Sequence, residues 1–150
     1  MPEYLFTYGT LLPGHAPAAM TSAAGRLRPI GEGRVQGALY DFGPYPGAIL
    51  DAASEHIILG TVYELPADPA VLSQLDKYED CYPDAPALSQ YLRVLHPVVL
   101  ASGETLDCWM YVYNRNVRSA RIVESGRWER RSENPEPKPE VKIRNENPTG

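Results

Sequence analysis

Positive charge is scarce in this chain. Fourteen Lys and Arg face nineteen Asp and Glu, for a formal net charge of −5. Nucleic-acid binding therefore lacks bulk electrostatic support. The imbalance is uneven: six Lys/Arg against five Glu fall from Arg127 onward, leaving eight against fourteen in the body that would carry a site. Cysteine is nearly absent. Cys81 and Cys108 stand far apart and in no metal-like spacing, so free thiols in a reducing, cytoplasmic setting are expected. His15, His56 and His96 are equally scattered and form no H-E-x-x-H arrangement, which argues against a metal site. No apolar run reaches membrane-spanning length. The opening M-P-E-Y has no basic region before an apolar one, so no signal peptide is visible. G-x-S-x-G, Walker A and dinucleotide-binding fingerprints are all missing.

What remains is a chain of 150 residues, 43% hydrophobic, suited to one domain with a sizeable core. The last stretch departs from this composition. Ser132 to Gly150 holds four prolines and alternating charges, with only Val141 and Ile143 as aliphatic residues. It cannot bury enough apolar surface to offset its ordering entropy. The expected organisation is a domain over residues 1–131 and a mobile or extended tail over 132–150.

The chain opens on Y-L-F-T-Y-G-T-L-L-P-G, Tyr4 to Gly14. Its first five residues suit a strand. The pattern breaks at Gly9, resumes as Thr10-Leu11-Leu12 and stops at Pro13-Gly14. Consecutive free N–H groups at a glycine-bearing turn form an anion-binding concavity, and a residue without Cβ lets a ligand approach the backbone. An ordinary strand–turn junction fits the same residues. Further strands are predicted over Arg34 to Phe42, Ala48 to Leu50, His56 to Leu65, Tyr91 to Leu100 and Leu106 to Tyr113. Gly60 is read as a bulge and Gly43 to Gly47 as a loop. Ala101 to Glu104 reads as a hairpin connection. His15 to Arg28 is a weak candidate for a helix or crossover, and Ser119 to Arg130 for a short closing segment. One helix is clear. Asp68 is a good N-cap, Pro69 suits the first helical position, and Val71, Leu72, Leu75 and Tyr78 recur at helical spacing. Several strands with one such helix give an α+β class.

Leu72, Leu75 and Glu79 share one face of that helix by their three- and four-residue spacing. If the leucines face the core, Glu79 faces inward at the carboxyl end. The helix dipole and burial would both raise its pKa, which suits a carboxylate to proton transfer near neutral pH. A solvated glutamate at the edge of the face is the plainer alternative.

Several stretches together, in order, resemble the γ-glutamylcyclotransferase-like family (the γ-glutamylamine cyclotransferase and AIG2-like group). They are Y-G-T-L-L-P-G at Tyr8 to Gly14, G-R-V-Q-G-A-L-Y-D-F-G-P-Y-P-G at Gly33 to Gly47, and L-D-K-Y-E-D at Leu75 to Asp80. Y-L-R-V at Tyr91, W-M-Y-V-Y at Trp109 and E-S-G-R-W at Glu124 complete the series. The resemblance implies a small mixed β-barrel with helices packed outside. It implies cyclisation of a γ-glutamyl group to 5-oxoproline with release of an amine or peptide, and it requires no cofactor. It places Glu79 at the catalytic glutamate and Gly9, Thr10, Leu11 and Leu12 at the substrate-cradling loop. Tyr8 and Tyr113, with neighbouring aromatics, are expected as walls that exclude water. Arg93, two residues after Tyr91 on the same strand face, is a candidate for steadying a substrate carboxylate; a surface role fits it equally. Tyr111 shares a face with Tyr113 and lines the pocket or packs. Cys81 lacks a partner His in sequence and is expected to be inert. The expected partner is a small γ-glutamyl substrate, with neither nucleic acid nor membrane. Two other readings stay open: a binding module on the same fold that turns nothing over, and hydrolysis to free glutamate.

Overall fold

The computed structural model describes residues 2–8, 26–43, 45–118 and 120–128. Seven strands and one α-helix occur among them: β1 (Glu3–Thr7), β2 (Arg28–Asp41), β3 (Pro46–Leu50), β4 (Ile57–Leu65), α1 (Pro69–Tyr78), β5 (Tyr91–Leu100), β6 (Thr105–Tyr113) and β7 (Arg121–Ile122). The predicted strands are all present. β2 starts earlier than expected, and β3 extends back through Pro46 and Gly47, part of the expected loop. The Gly9–Leu12 loop, nearly all of the His15–Arg28 segment and the tail from Ser132 lie outside the described residues.

The strands run β2–β4–β1–β6–β5, and β5 returns to β2 through Gly33 opposite Leu100 and Arg34 opposite Val99. This closes a five-stranded barrel and leaves those strands no open edge. All barrel pairings are antiparallel except β1 with β6, which are parallel at Leu5 and Trp109. The class is therefore α+β with a mixed barrel. The fourteen residues of β2 outlast the barrel. Their far end pairs with β3 and, at Tyr40 and Asp41, with β7.

Alternation along each strand divides the apolar residues between two cores. Phe6, Ile58, Val62, Val98, Cys108 and Met110 fill the barrel. Leu5, Tyr63, Tyr91 and Tyr111 face outward and are covered by Val71 and Leu75 of α1. The helix begins as its sequence indicates: the Asp68 carboxylate accepts the Ala70 amide at 3.0 Å, with Pro69 in the first turn. Leu75 is fully buried and Leu72 packs at the cluster's margin. No helix among the described residues is long and apolar enough to cross a membrane.

Gly60 does not mark a bulge. It pairs with Gly33 in unbroken register, and the register shift falls between Pro29 and Gly31 of β2. Gly60 is instead a point of close approach. A Cβ there would lie 2.1 Å from the Thr7 carbonyl oxygen and 2.9 Å from the Phe6 ring. Gly60→Ala should therefore force β4 from the end of β1 and destabilise the fold by about 1–3 kcal/mol, the usual cost of overpacking. Chemical denaturation would measure it; an unchanged midpoint would mean that the strand ends yield freely.

Candidate active site

A cavity of about 260 Å³ opens where the end of α1 meets the ends of β1, β5 and β6 and the start of β3. Its wall includes Thr7, Glu79, Asp80 and Gln90 and the rings of Tyr8, Tyr45, Tyr78, Tyr91 and Tyr111. Glu79 is the residue that caps α1, one position beyond its last helical residue rather than inside the last turn. The turn that carries it has a defined hydrogen-bond pattern. The Cys81 amide donates to the Asp76 carbonyl at 2.8 Å, the Asp80 amide to Lys77 at 3.2 Å, and the Glu79 amide to Leu75 at 2.9 Å. These crossing bonds form a Schellman closure, which requires a left-handed residue just past the cap. That residue is Asp80, with φ of 57°, where glycine would sit without strain. The Asp80 carbonyl then receives the Gln90 amide at 2.9 Å, which ties the turn to the start of β5.

Burial pushes the Glu79 carboxyl up from 4.5 to about 7. Three phenols around it are buried and held. Tyr8 donates to the Tyr111 carbonyl and accepts the Ala48 amide at 3.3 Å. Tyr91 donates to the Pro46 carbonyl at 2.5 Å, and Tyr111 to the Asp76 carboxylate at 2.6 Å. Burial raises the pKa of each phenol, and the Glu79 charge adds to the rise in all three. They stay protonated at neutral pH and form a neutral wall around one carboxyl. Such a site is equipped to take up and return a proton.

The expected residues divide. Tyr8 and Glu79 meet in the cavity, as does Tyr111. Tyr113 does not line it. Its ring packs at a tilt against Phe42, 4.4 Å between centres, and meets the edge of Tyr91 at 5.4 Å, so it backs the wall. Arg93 is not brought to the cavity either. Its Nε and Nη2 grip the Asp76 carboxylate at 2.8 and 3.2 Å, and its guanidinium lies 4.6 Å from the centre of the Trp109 ring. A fork engaged through Nε and Nη2 on a buried partner and covering an aromatic face is a structural clamp between β5 and α1. The expectation that Arg93 steadies a substrate carboxylate finds no support in this cavity, whose lining does not include it. Cys81 and Cys108 are free and buried, and burial pushes Cys108 up to about 12, which makes it a poor nucleophile. The structure adds Thr7, Tyr45 and Asp80 to the cavity wall and Asp76 behind Tyr111. Asp76 was findable, because it follows Leu72 by four and precedes Glu79 by three, on the same helical face.

The profile of the family described as "Gamma-glutamyl cyclotransferase, AIG2-like" matches residues 5–130. The chain belongs to this family. The Escherichia coli K12 protein named "Gamma-glutamylcyclotransferase family protein YtfP" is 34% identical over 90 residues, 60% of this chain and 66% of that one. The chain thus spans just under two thirds of that relative's length. A Vibrio cholerae relative is 30% identical over 128 residues, covering 85% of this chain and 96% of its own. Among solved structures, a mouse AIG2-like protein superposes with a TM-score of 0.62 at 23% identity, over 83% of this chain and 87% of the other. The solution structure of E. coli YtfP gives 0.57 at 28% identity, over 83% and 95%. Bacillus subtilis YkqA gives 0.61 at 24% identity and is matched over 40% of its length. These likenesses bear out the barrel with a helix outside it.

Two stability effects follow for this member of the family. Asp80→Gly should relieve the left-handed strain and raise stability by about 1 kcal/mol, less whatever the lost Tyr82 hydroxyl bond to Asp80 contributes; a lowered melting temperature would show that this bond dominates. For Glu79, the folded state holds its proton more tightly than the unfolded chain does. Its contribution is therefore fully favourable below about pH 4.5 and is lost as the pH rises through about 7. A rise of that size corresponds to roughly 3 kcal/mol. Glu79→Gln should abolish this slope, so the variant's advantage in melting temperature should grow from acid to neutral pH. Parallel pH curves for the two proteins would contradict the buried carboxyl.

Proposed function

We propose that this chain cyclises γ-glutamyl compounds, releasing an amine or peptide and forming 5-oxoproline. The observation that carries the reading is the buried Glu79 carboxyl, titrating near neutrality inside a phenol-lined cavity, in a chain of the γ-glutamylcyclotransferase family. The substrate's α-amine and γ-carbonyl belong to one molecule, so the site chiefly has to fold it into a near-attack geometry. The amine nitrogen bonds to the γ-carbonyl carbon, and the bond from that carbon to the leaving nitrogen breaks. Glu79, as carboxylate, takes a proton from the attacking nitrogen and then gives one to the departing nitrogen. The carboxylate is regenerated, and one proton has moved between two nitrogens. Tyr8, Tyr91 and Tyr111 exclude water, which would otherwise compete as nucleophile. The Gly9–Leu12 backbone is proposed to supply donors to the substrate carboxylate or the developing oxyanion. The scheme uses no cofactor.

A panel of γ-glutamyl amines, amino acids and peptides, scored for 5-oxoproline, tests the reading. Free glutamate as the product would establish hydrolysis, and binding without product would establish a binding module. On the best substrate, Glu79→Gln should lose about 10²–10⁴ in turnover, the usual contribution of a positioned acid–base group, while still binding. Because the working form is the carboxylate, wild-type kcat/KM should rise as the pH passes about 7. Turnover within about threefold of wild type would remove Glu79 from the chemistry.

A further inference from the structure

Thr7 ends β1 on the cavity wall and is only 5% exposed. Its Oγ1 is buried and has no hydrogen-bond partner among the described residues. Buried hydroxyls are nearly always paired, because leaving one unpaired forfeits its hydration with no return. Valine has the same shape, suits a strand at least as well and carries no such penalty. The fold therefore gains nothing from this hydroxyl, and its place on the wall of the cavity that Glu79 also lines points to an occupant of that cavity.

The neighbouring groups narrow what that occupant offers. Tyr8, Tyr91 and Tyr111 already donate to protein acceptors. The Glu79 carboxylate repels a second carboxylate and attracts an ammonium or amine. The N–H groups of an α-amine diverge from the nitrogen, so one that points at Glu79 leaves another directed elsewhere in the cavity. A second, neutral acceptor on the wall would hold another N–H and so turn the nitrogen lone pair toward the γ-carbonyl.

We propose that Thr7 is a positioning residue for the γ-glutamyl substrate, its Oγ1 accepting a hydrogen bond from the α-amine that Glu79 deprotonates. The inference rests on the cyclotransferase reading above and assigns Thr7 a part in it.

The test compares wild type, Thr7→Val and Thr7→Ser in melting temperature, in kcat and KM for 5-oxoproline release, and in binding of the same γ-glutamyl amide lacking its α-amine. Thr7→Val should melt at the same or a higher temperature yet lose about tenfold in kcat/KM, the effect of one substrate hydrogen bond. Thr7→Ser should recover to within about threefold of wild type. The analogue without the amine should bind wild type and Thr7→Val equally. A Thr7→Val protein that turns over like wild type overturns the inference and leaves the cyclotransferase reading standing. Equal weakening of substrate and amine-free analogue overturns the amine assignment. Should Thr7→Val fail to fold, Thr7→Ala carries the same loss without the second methyl and decides on the same readouts. A wild-type protein that releases no 5-oxoproline from any substrate overturns the cyclotransferase reading itself, a result told apart by the unmutated control.

Discussion

Asp76 holds the site together from inside the helix. Its carboxylate receives both nitrogens of the Arg93 fork from β5 and the Tyr111 hydroxyl from β6. Its carbonyl receives the Cys81 amide that closes the turn after α1. One residue therefore sets the angle of the helix on the barrel and the path of the chain that carries Glu79. A buried carboxylate is tolerable only when paired and hydrogen-bonded, and removing one partner of such a pair is commonly far more damaging than the pair is stabilising. The consequence here is geometric. If Asp76 lets go, Tyr111 loses its anchor, and the carbonyl of Tyr111 is in turn what the Tyr8 hydroxyl bonds.

Local features unfavourable to folding gather around the cavity. Glu79 is a carboxyl kept from water, Asp80 takes a left-handed conformation that suits glycine, and Thr7 hides a hydroxyl with no partner among the described residues. Apart from the buried Trp128 Nε1, which has no partner among the described residues and does not line the cavity, the rest of the described structure is locally consistent: strand residues alternate between the two cores, Asp68 caps its helix, and the barrel closes without an open edge. Exceptions to local consistency that cluster at one place are the pattern expected where function opposes stability.

The barrel supplies the rigidity that such a site needs. At the cavity β1 and β6 end and β5 begins, side by side, joined by the parallel β1–β6 contact and the long β5–β6 ladder. Side chains that leave the outer face of these strands are thus aimed at the end of α1 by a closed hydrogen-bonded frame, while Tyr113 and Phe42 support the wall from behind.

Much of this was legible in the amino-acid order alone. Alternation marked the strands, the Asp68-Pro69 start and the leucine spacing marked α1, and the same spacing put Glu79 inward. These are local properties, set within a few residues by backbone geometry and side-chain shape. The ordered motifs together also pointed to the family and its barrel. What the chain could not disclose alone were outcomes that depend on which distant residues meet. Arg93 and Tyr91 stand two apart on one strand face, yet only the placement of α1 decides that Arg93 meets Asp76 while Tyr91 meets the cavity. Gly60 looked like a bulge because a glycine in a strand signals irregularity, but the reason for it, the Thr7 carbonyl of another strand, lies more than fifty residues away in the chain. The near-neutral titration of Glu79 is likewise tertiary, since the desolvation that produces it comes from walls assembled from β1, β3, β5 and β6. Periodicity along one element says which way a side chain points; only the packing of elements against each other says what it points at.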